Sequence, residues 1–259
     1  MFDLLKTIDF NNSYYYVIYF LIAARFLGAM TIYPLFSTTV ITRMIRIILA
    51  GSFALIVLPL YLAKPVDLSN PIVIIMLLIK EVCVGALIGY VFSIPIWLVE
   101  NVGNIIDIQR GEQFGAQIDP VTQNPSSSLS KLLNQTFMVY LVSAGGLAIF
   151  IKFIFVSFLS WSPIAYTIPM AALLASLKLF CSYFFWIVIL TLPVIFLLLI
   201  TDLVLGLLSS FVQQLNVTIL AMPIKSAIAI FVVILYMPII FNFSVERFMN
   251  ENMFLFFKI

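Results

Sequence analysis

The residues of this 259-residue chain that could do chemistry are few, and most lie in one interval. There is no histidine, which removes Ser-His and Cys-His nucleophilic pairs, the usual proton shuttle and the commonest metal ligand. Cys83 and Cys181 both sit inside apolar runs and read as small buried hydrophobes. Two isolated thiols give no framework for a disulfide scaffold or a metal site. What remains is residues 100–131, ENVGNIIDIQRGEQFGAQIDPVTQNPSSSLSK, the one long polar stretch. Asp107 and Arg110 are three apart and can pair on one face of a helix, worth about 0.2–0.5 kcal/mol if exposed. Gly111 and Gly115 allow backbone conformations that other residues avoid. Phe114 and Ile118 supply apolar tips, and Asp119-Pro120 ends the element, because the residue before a proline leaves helical space. Asn124-Pro125, or one of Ser126 to Ser128, is placed to cap the next helix. The interval is either a solvated connection between helices or a re-entrant lid, which needs protein or a water cavity around it at membrane depth. Asp107 and Glu112 alone are weak ground for acid–base catalysis, and no glycine loop with its lysine is present to cradle phosphate. The chain therefore reads as a non-enzyme without cofactor or metal.

The elements that must position this interval are apolar. Hydrophobic residues make up 64% of the chain and charged residues 9%, with a mean hydropathy of +1.20. An ordinary globular domain is roughly a quarter charged. A soluble fold could not hide so much apolar surface, so the surroundings are a bilayer or equally apolar partners. A net charge of +2 leaves no basic footprint for nucleic acid. Asp3, Lys6 and Asp9 do not form the positive region of a signal peptide, so the first apolar run is expected to stay as a helix.

With about 20 apolar residues per membrane crossing, the chain divides into seven or eight segments, and the fold class is all-α. They lie near 14–36, 47–63, 72–99, 132–151, 153–176, 179–200, 203–222 and 226–243. Pro95 should kink the third. Gly145-Gly146 falls inside the fourth, and the fifth, with Trp161, Pro163 and Pro169, is interfacial or broken. Alternation suited to β-barrel strands is absent. Positive charges in the loops divide almost evenly between the two sides, so they do not orient the chain.

Arg25, Lys80, Glu81, Asp202 and Lys225 interrupt apolar segments. A charge at mid-membrane costs about 2.5–3.5 kcal/mol, so each should snorkel, pair across helices, or line a polar pathway or assembly contact. Lys80 and Glu81 are neighbours and point about 100° apart on a helix, so neither serves the other well. Glu81 is expected to find its partner on another helix or subunit. Gly85 and Gly89 are spaced for close packing of a neighbouring helix.

IIDIQRGEQFGAQIDP at 105–120, with Pro95 and Trp97 upstream, resembles a signature of the FliR/SpaR/EscT (SctT) family of type III secretion export-apparatus proteins. LGLLSSFVQQLN at 205–216, followed by Lys225-Ser226, resembles a second. Pro34-Leu35-Phe36, and Glu81 with Val84-Gly85 and Gly89, extend the likeness over nearly the whole chain, and the wording is nearer the injectisome branch than the flagellar one. The chain departs where relatives often have an arginine, at Ser210, and a proline, at Val212 or Gln213; Ile108 replaces a residue commonly polar in the branch. These departures bear on local turns and subunit contacts.

The resemblance implies one export-apparatus domain over residues 1–259, with a plug-like polar loop at about 100–131. It implies a multi-pass protein of the bacterial inner membrane, displaced toward the periplasm. Its helical hairpins would join a closed spiral export gate with FliP/SctR-type and FliQ/SctS-type subunits and an FlhB/SctU-type switch protein. Unfolded polypeptides would pass the gate, plugged by Gly111, Phe114, Gly115, Ile118, Asp119 and Pro120. Glu81, Asp107, Arg110, Asp202, Gln214, Asn216 and Lys225 are the expected polar or inter-subunit contacts. The rival from another class is a secondary transporter, with helices broken at Pro95 and Pro193 and a coupling ion at Glu81 and Asp202. It requires internal repeats, and none is visible in the sequence.

Overall fold

The computed structural model describes residues 13–38, 41–61, 71–112, 128–166, 170–211 and 217–247, with side chains except at 13–14 and 217–220. Among the described residues there is no strand. They form seven α-helices: α1 (Ser13–Ile32), α2 (Arg43–Val57), α3 (Pro71–Arg110), α4 (Ser128–Ser143), α5 (Gly146–Ser160), α6 (Met170–Phe211) and α7 (Val217–Val245). Short 3-10 turns follow α1 at Pro34–Phe36 and α2 at Leu58–Leu60. Five helices are long and apolar enough to cross a membrane, or six spans if α4 and α5 count as one.

Several boundaries differ from the sequence reading: α2 begins at Arg43, α7 runs unbroken through the break expected between 222 and 226, and three further differences have a plain physical reason. First, α3 runs on to Arg110 and takes in the first third of the polar interval. Leu98, Val99, Val102, Ile106 and Arg110 are buried, and their spacing of three and four residues continues one helical face. Second, α6 is one helix of 42 residues where parts of three segments are expected. Asp202, where a break is expected, carries an ion pair with Lys225 and needs no loop around it. Third, the segment at 132–151 is two helices, because Gly145 adopts the left-handed φ of 82° that closes a helix. The two cysteines are also corrected: Cys83 on α3 and Cys181 on α6 are free and exposed.

The chain forms two compact units. One contains described residues of 13–93 and 145–177, the other those of 94–144 and 178–247. In the first, α1 and α3 touch backbone to backbone. A Cβ on Gly28 would lie 2.5 Å from the Val82 carbonyl oxygen, and a Cβ on Gly85 or Gly89 would strike the carbonyl of Arg25 or Ala29. Only glycine permits that approach. Beside the seam Tyr33 stacks on Phe150 at 4.3 Å, with Phe36 and Phe92 against the same ring. Phe26 gathers Phe53, Phe155 and Phe158 in the same way.

In the second unit the polar bonds lie between apolar contacts. Asn101 donates to the Tyr183 hydroxyl at 2.7 Å, and Tyr140 donates to Asn242 at 2.6 Å. Phe137 packs edge-on to Phe241 at 5.1 Å. At Gly103 a Cβ would fall 2.6 Å from the Ser130 Cα, so α4 lies directly on α3 there.

Candidate functional site

That contact is the floor of a polar clasp. α3 ends in Arg110; Gly111 turns the chain at a φ of 86°, and Glu112 is the last described residue before 128. α4 opens at Ser128. Its exposed amides are the positive end of a helix and call for acceptors. The Ser128 N–H donates to one Glu112 oxygen at 3.0 Å, and the Ser130 N–H donates to one Asp107 oxygen at 3.0 Å. The Arg110 guanidinium ties both carboxylates, at 2.6 Å to Asp107 and 2.5 Å to Glu112, and donates to the Ser128 hydroxyl at 2.8 Å. Below it the Ser130 hydroxyl donates to the Glu100 carbonyl at 2.8 Å, and Asn134 donates to the Glu100 carboxylate at 3.0 Å.

The arrangement joins the two ends of the segment 113–127 through one cation. Asp107 and Arg110 are buried, so their pair is not the exposed one for which a few tenths of a kcal/mol would hold. Burial alone would push the Glu112 carboxyl up. The Ser128 hydroxyl and N–H, with Arg110, outweigh it and hold the carboxyl below the ordinary range. Both carboxylates are committed to Arg110 and to amides of α4, which gives them a holding role and leaves no free base among them. A cavity of about 240 Å³ opens beside the clasp, lined by Arg110, Gly111, Glu112, Ser128, Met222 and Ser226. The second sequence stretch singled out, at Lys225-Ser226, thus reaches the first. Next to Ser226 in the chain, Lys225 on α7 pairs with Asp202 on α6.

The first unit holds a separate ionic cluster. Arg25 on α1 meets Glu81 on α3 at 2.6 Å and donates to the Ser157 hydroxyl at 3.1 Å and the Trp161 carbonyl at 2.8 Å. Its guanidinium also lies 4.1 Å from the centre of the Phe158 ring, a cation–π contact. Lys80 corrects the sequence reading, for it pairs with Glu81 at 2.9 Å. Its four-carbon stem spans the angle that separates the two Cα–Cβ directions. The same ammonium donates to the carbonyls of Ser162, Pro163 and Ala165 at 3.1, 3.2 and 2.6 Å. Ser157 and Ser130 carried no signal in the sequence, since each acts on a residue far away in the chain; Ser128, there among the candidates to cap the next helix, also holds Arg110 and Glu112. Phe114, Gly115, Ile118, Asp119, Pro120, Gln214 and Asn216 lie outside the described residues.

Residues 16–250 match the family of bacterial export proteins, family 1. The chain belongs to that family. This export protein is 31% identical over 223 residues to the Yop proteins translocation protein T of Yersinia pestis, covering 84% of this chain and 85% of that one. It is 33% identical over 180 residues to the surface presentation of antigens protein SpaR of Shigella flexneri, covering 69% of each. The flagellar biosynthetic protein FliR of Escherichia coli is 23% identical over 238 residues, 89% of this chain and 88% of that one. The higher identities fall on the injectisome side, so the export protein is of the FliR/SpaR/EscT family and of its injectisome branch.

Proposed function

We propose that this export protein is a component of the type III secretion apparatus of the bacterial inner membrane, where it forms part of the channel for unfolded polypeptides and helps to close it. The observation that carries the reading is the clasp. A segment that must block a passage and then move aside needs fixed ends and a free middle. Arg110, Asp107 and Glu112 fix the ends of 113–127 to the start of α4. Phe114 and Ile118 then act as the apolar seal, Gly111 and Gly115 as joints, and Asp119-Pro120 as the stop. Two apolar side chains are few to displace, so opening such a seal costs little.

Helix length supports assembly with other subunits. α3 and α6 have 40 and 42 residues. At 1.5 Å per residue each is about 60 Å long, twice the roughly 30 Å hydrocarbon core. α6 nevertheless exposes large apolar side chains from Met170 to Phe211. Lipid alone cannot cover that face along its length, but helices of FliP/SctR-type, FliQ/SctS-type and FlhB/SctU-type subunits can, with part of the gate raised out of the bilayer toward the periplasm. Gln214 and Asn216 would serve in those contacts. The transporter alternative needs Glu81 and Asp202 free to bind an ion, whereas each already holds a basic side chain.

The test is ion conductance of the purified export complex in planar bilayers. Deleting residues 113–118 while keeping the clasp should leave assembly intact and raise leakage of small ions. An unchanged conductance after clean assembly would overturn the plug. A crosslinker at position 114 should also capture a stalled exported chain.

A further inference from the structure

Among its described residues the first unit has five basic side chains, Arg25, Arg43, Arg46, Lys80 and Lys152, and one acidic one, Glu81. Glu81 is taken by Arg25 and Lys80. Among the described residues Arg46 is left without an acid. It is only 8% exposed, and its Nε and Nη2 are shut off from solvent without a hydrogen-bond partner. Buried donors of a charged group are rarely left unanswered, because the desolvated cation is costly.

Its position says what would answer it. Arg46 is the fourth residue of α2, and long helical side chains lean back over the preceding turn toward the N-terminus. That turn has no acidic residue, and Thr42, which precedes it in an extended conformation, makes no capping bond through its side chain. Thr42 and Arg43 are exposed. The positive end of a helix, an orphaned buried guanidinium on its fourth residue and an exposed arginine on its first thus fall within one turn of one another in the chain, a combination that suits a phosphate.

The length of α2 selects the kind of phosphate. The apolar window Arg43–Leu60 has 18 residues. That is about 27 Å of helix, close to the thickness of the hydrocarbon core, unlike α3 and α6. Met44, Ile47, Ile48, Leu55 and Ile56 are each more than half exposed along it. Where a segment of that length crosses a bilayer, its first turn falls at the level of the lipid headgroups. We propose that the N-terminal turn of α2 binds the phosphate of an anionic phospholipid, with Arg46 as the buried ligand and Arg43 at the rim. The proposal does not depend on the plug.

The experiment is thermal unfolding of the full-length protein in detergent, titrated with dioleoylphosphatidylglycerol, dioleoylphosphatidylcholine or inorganic phosphate. The anionic lipid should raise the melting temperature at concentrations on the order of tenfold lower than the zwitterionic one. Arg46→Met should lose that preference and, without lipid, melt no lower than the wild type, since it removes an unanswered buried charge. Arg43→Gln, at an exposed position, should fold normally and weaken the preference several-fold. Equal response to the two lipids, or a preference kept by Arg46→Met, overturns the proposal. Inorganic phosphate reproducing the whole effect overturns the lipid assignment. A preference that vanishes when the chain is assembled with its partner subunits assigns Arg46 to a partner's acid and also overturns it.

Discussion

Arg110 is the residue on which the loop base depends. Arg110→Gln leaves the buried Asp107 carboxylate without its cation, a change that typically costs about 3–5 kcal/mol. Lysine should not rescue it, because one ammonium cannot present the guanidinium fork to Asp107, Glu112 and Ser128 together. Thermal unfolding of Arg110→Gln, Arg110→Lys and the Asp107→Asn double variant checks this, and the double variant should cost less than the sum of its parts. Glu112 adds a pH dependence. Its folded-state pKa is depressed, so its stabilisation is complete above the unfolded glutamate value of about 4.3 and is lost as pH falls through the lower folded value. Melting curves should show no pH dependence from Glu112 between pH 5 and 8, where its stabilisation is complete, and Glu112→Gln should flatten part of the loss below about pH 4. In the sequence, the three-residue spacing already put Asp107 and Arg110 on one face. Their bonds to Ser128 and Ser130 were not legible, because the chain leaves the helix between them and returns.

At the scale of elements the seam between α1 and α3 is the feature with the least tolerance. Gly85→Ala and Gly89→Ala each drive a methyl group into a backbone carbonyl of α1, which cannot rotate away as a side chain could. Overpacking of this kind costs about 1–3 kcal/mol, and a fixed backbone neighbour puts the effect at the upper end. Gly206, on α6, meets nothing within 4 Å and is the internal control; Gly206→Ala should be neutral or slightly stabilising. Melting temperatures of the three variants compare them directly. Spacing of the glycines was visible in the sequence; the partner helix was not. Helix ends were harder still. Pro95 and Pro193 lie inside α3 and α6 without ending them, while Gly145 ends α4 through its backbone angle.

For the molecule as a whole the decisive quantity is apolar surface in excess of what lipid can cover. Phe211, at the end of α6, is 83% exposed, and the helix is about twice the bilayer core in length. Single cysteines along α6, in a background lacking Cys83 and Cys181, should report this with a membrane-impermeant maleimide. A window of about 20 residues should be protected in the chain expressed alone. The rest should become protected only when the other export components are expressed with it. Uniform protection of all of α6 in the isolated chain would remove the need for partners on that face.

Composition decided that this chain lives among apolar neighbours, and its long apolar runs without alternation decided that it is helical, since a backbone in apolar surroundings must satisfy itself in helices or closed barrels. Local spacing decided which side chains share a face, as at Asp107 and Arg110, or Gly85 and Gly89. Only the tertiary structure decided which charge answers which. Arg25 and Glu81 are 56 residues apart, and nothing in a one-dimensional pattern ranks that pair above others. Burial raises the cost of every unmatched charge, so packing chooses the partners, and it gave Glu81 two cations while Arg46 received no acid among the described residues.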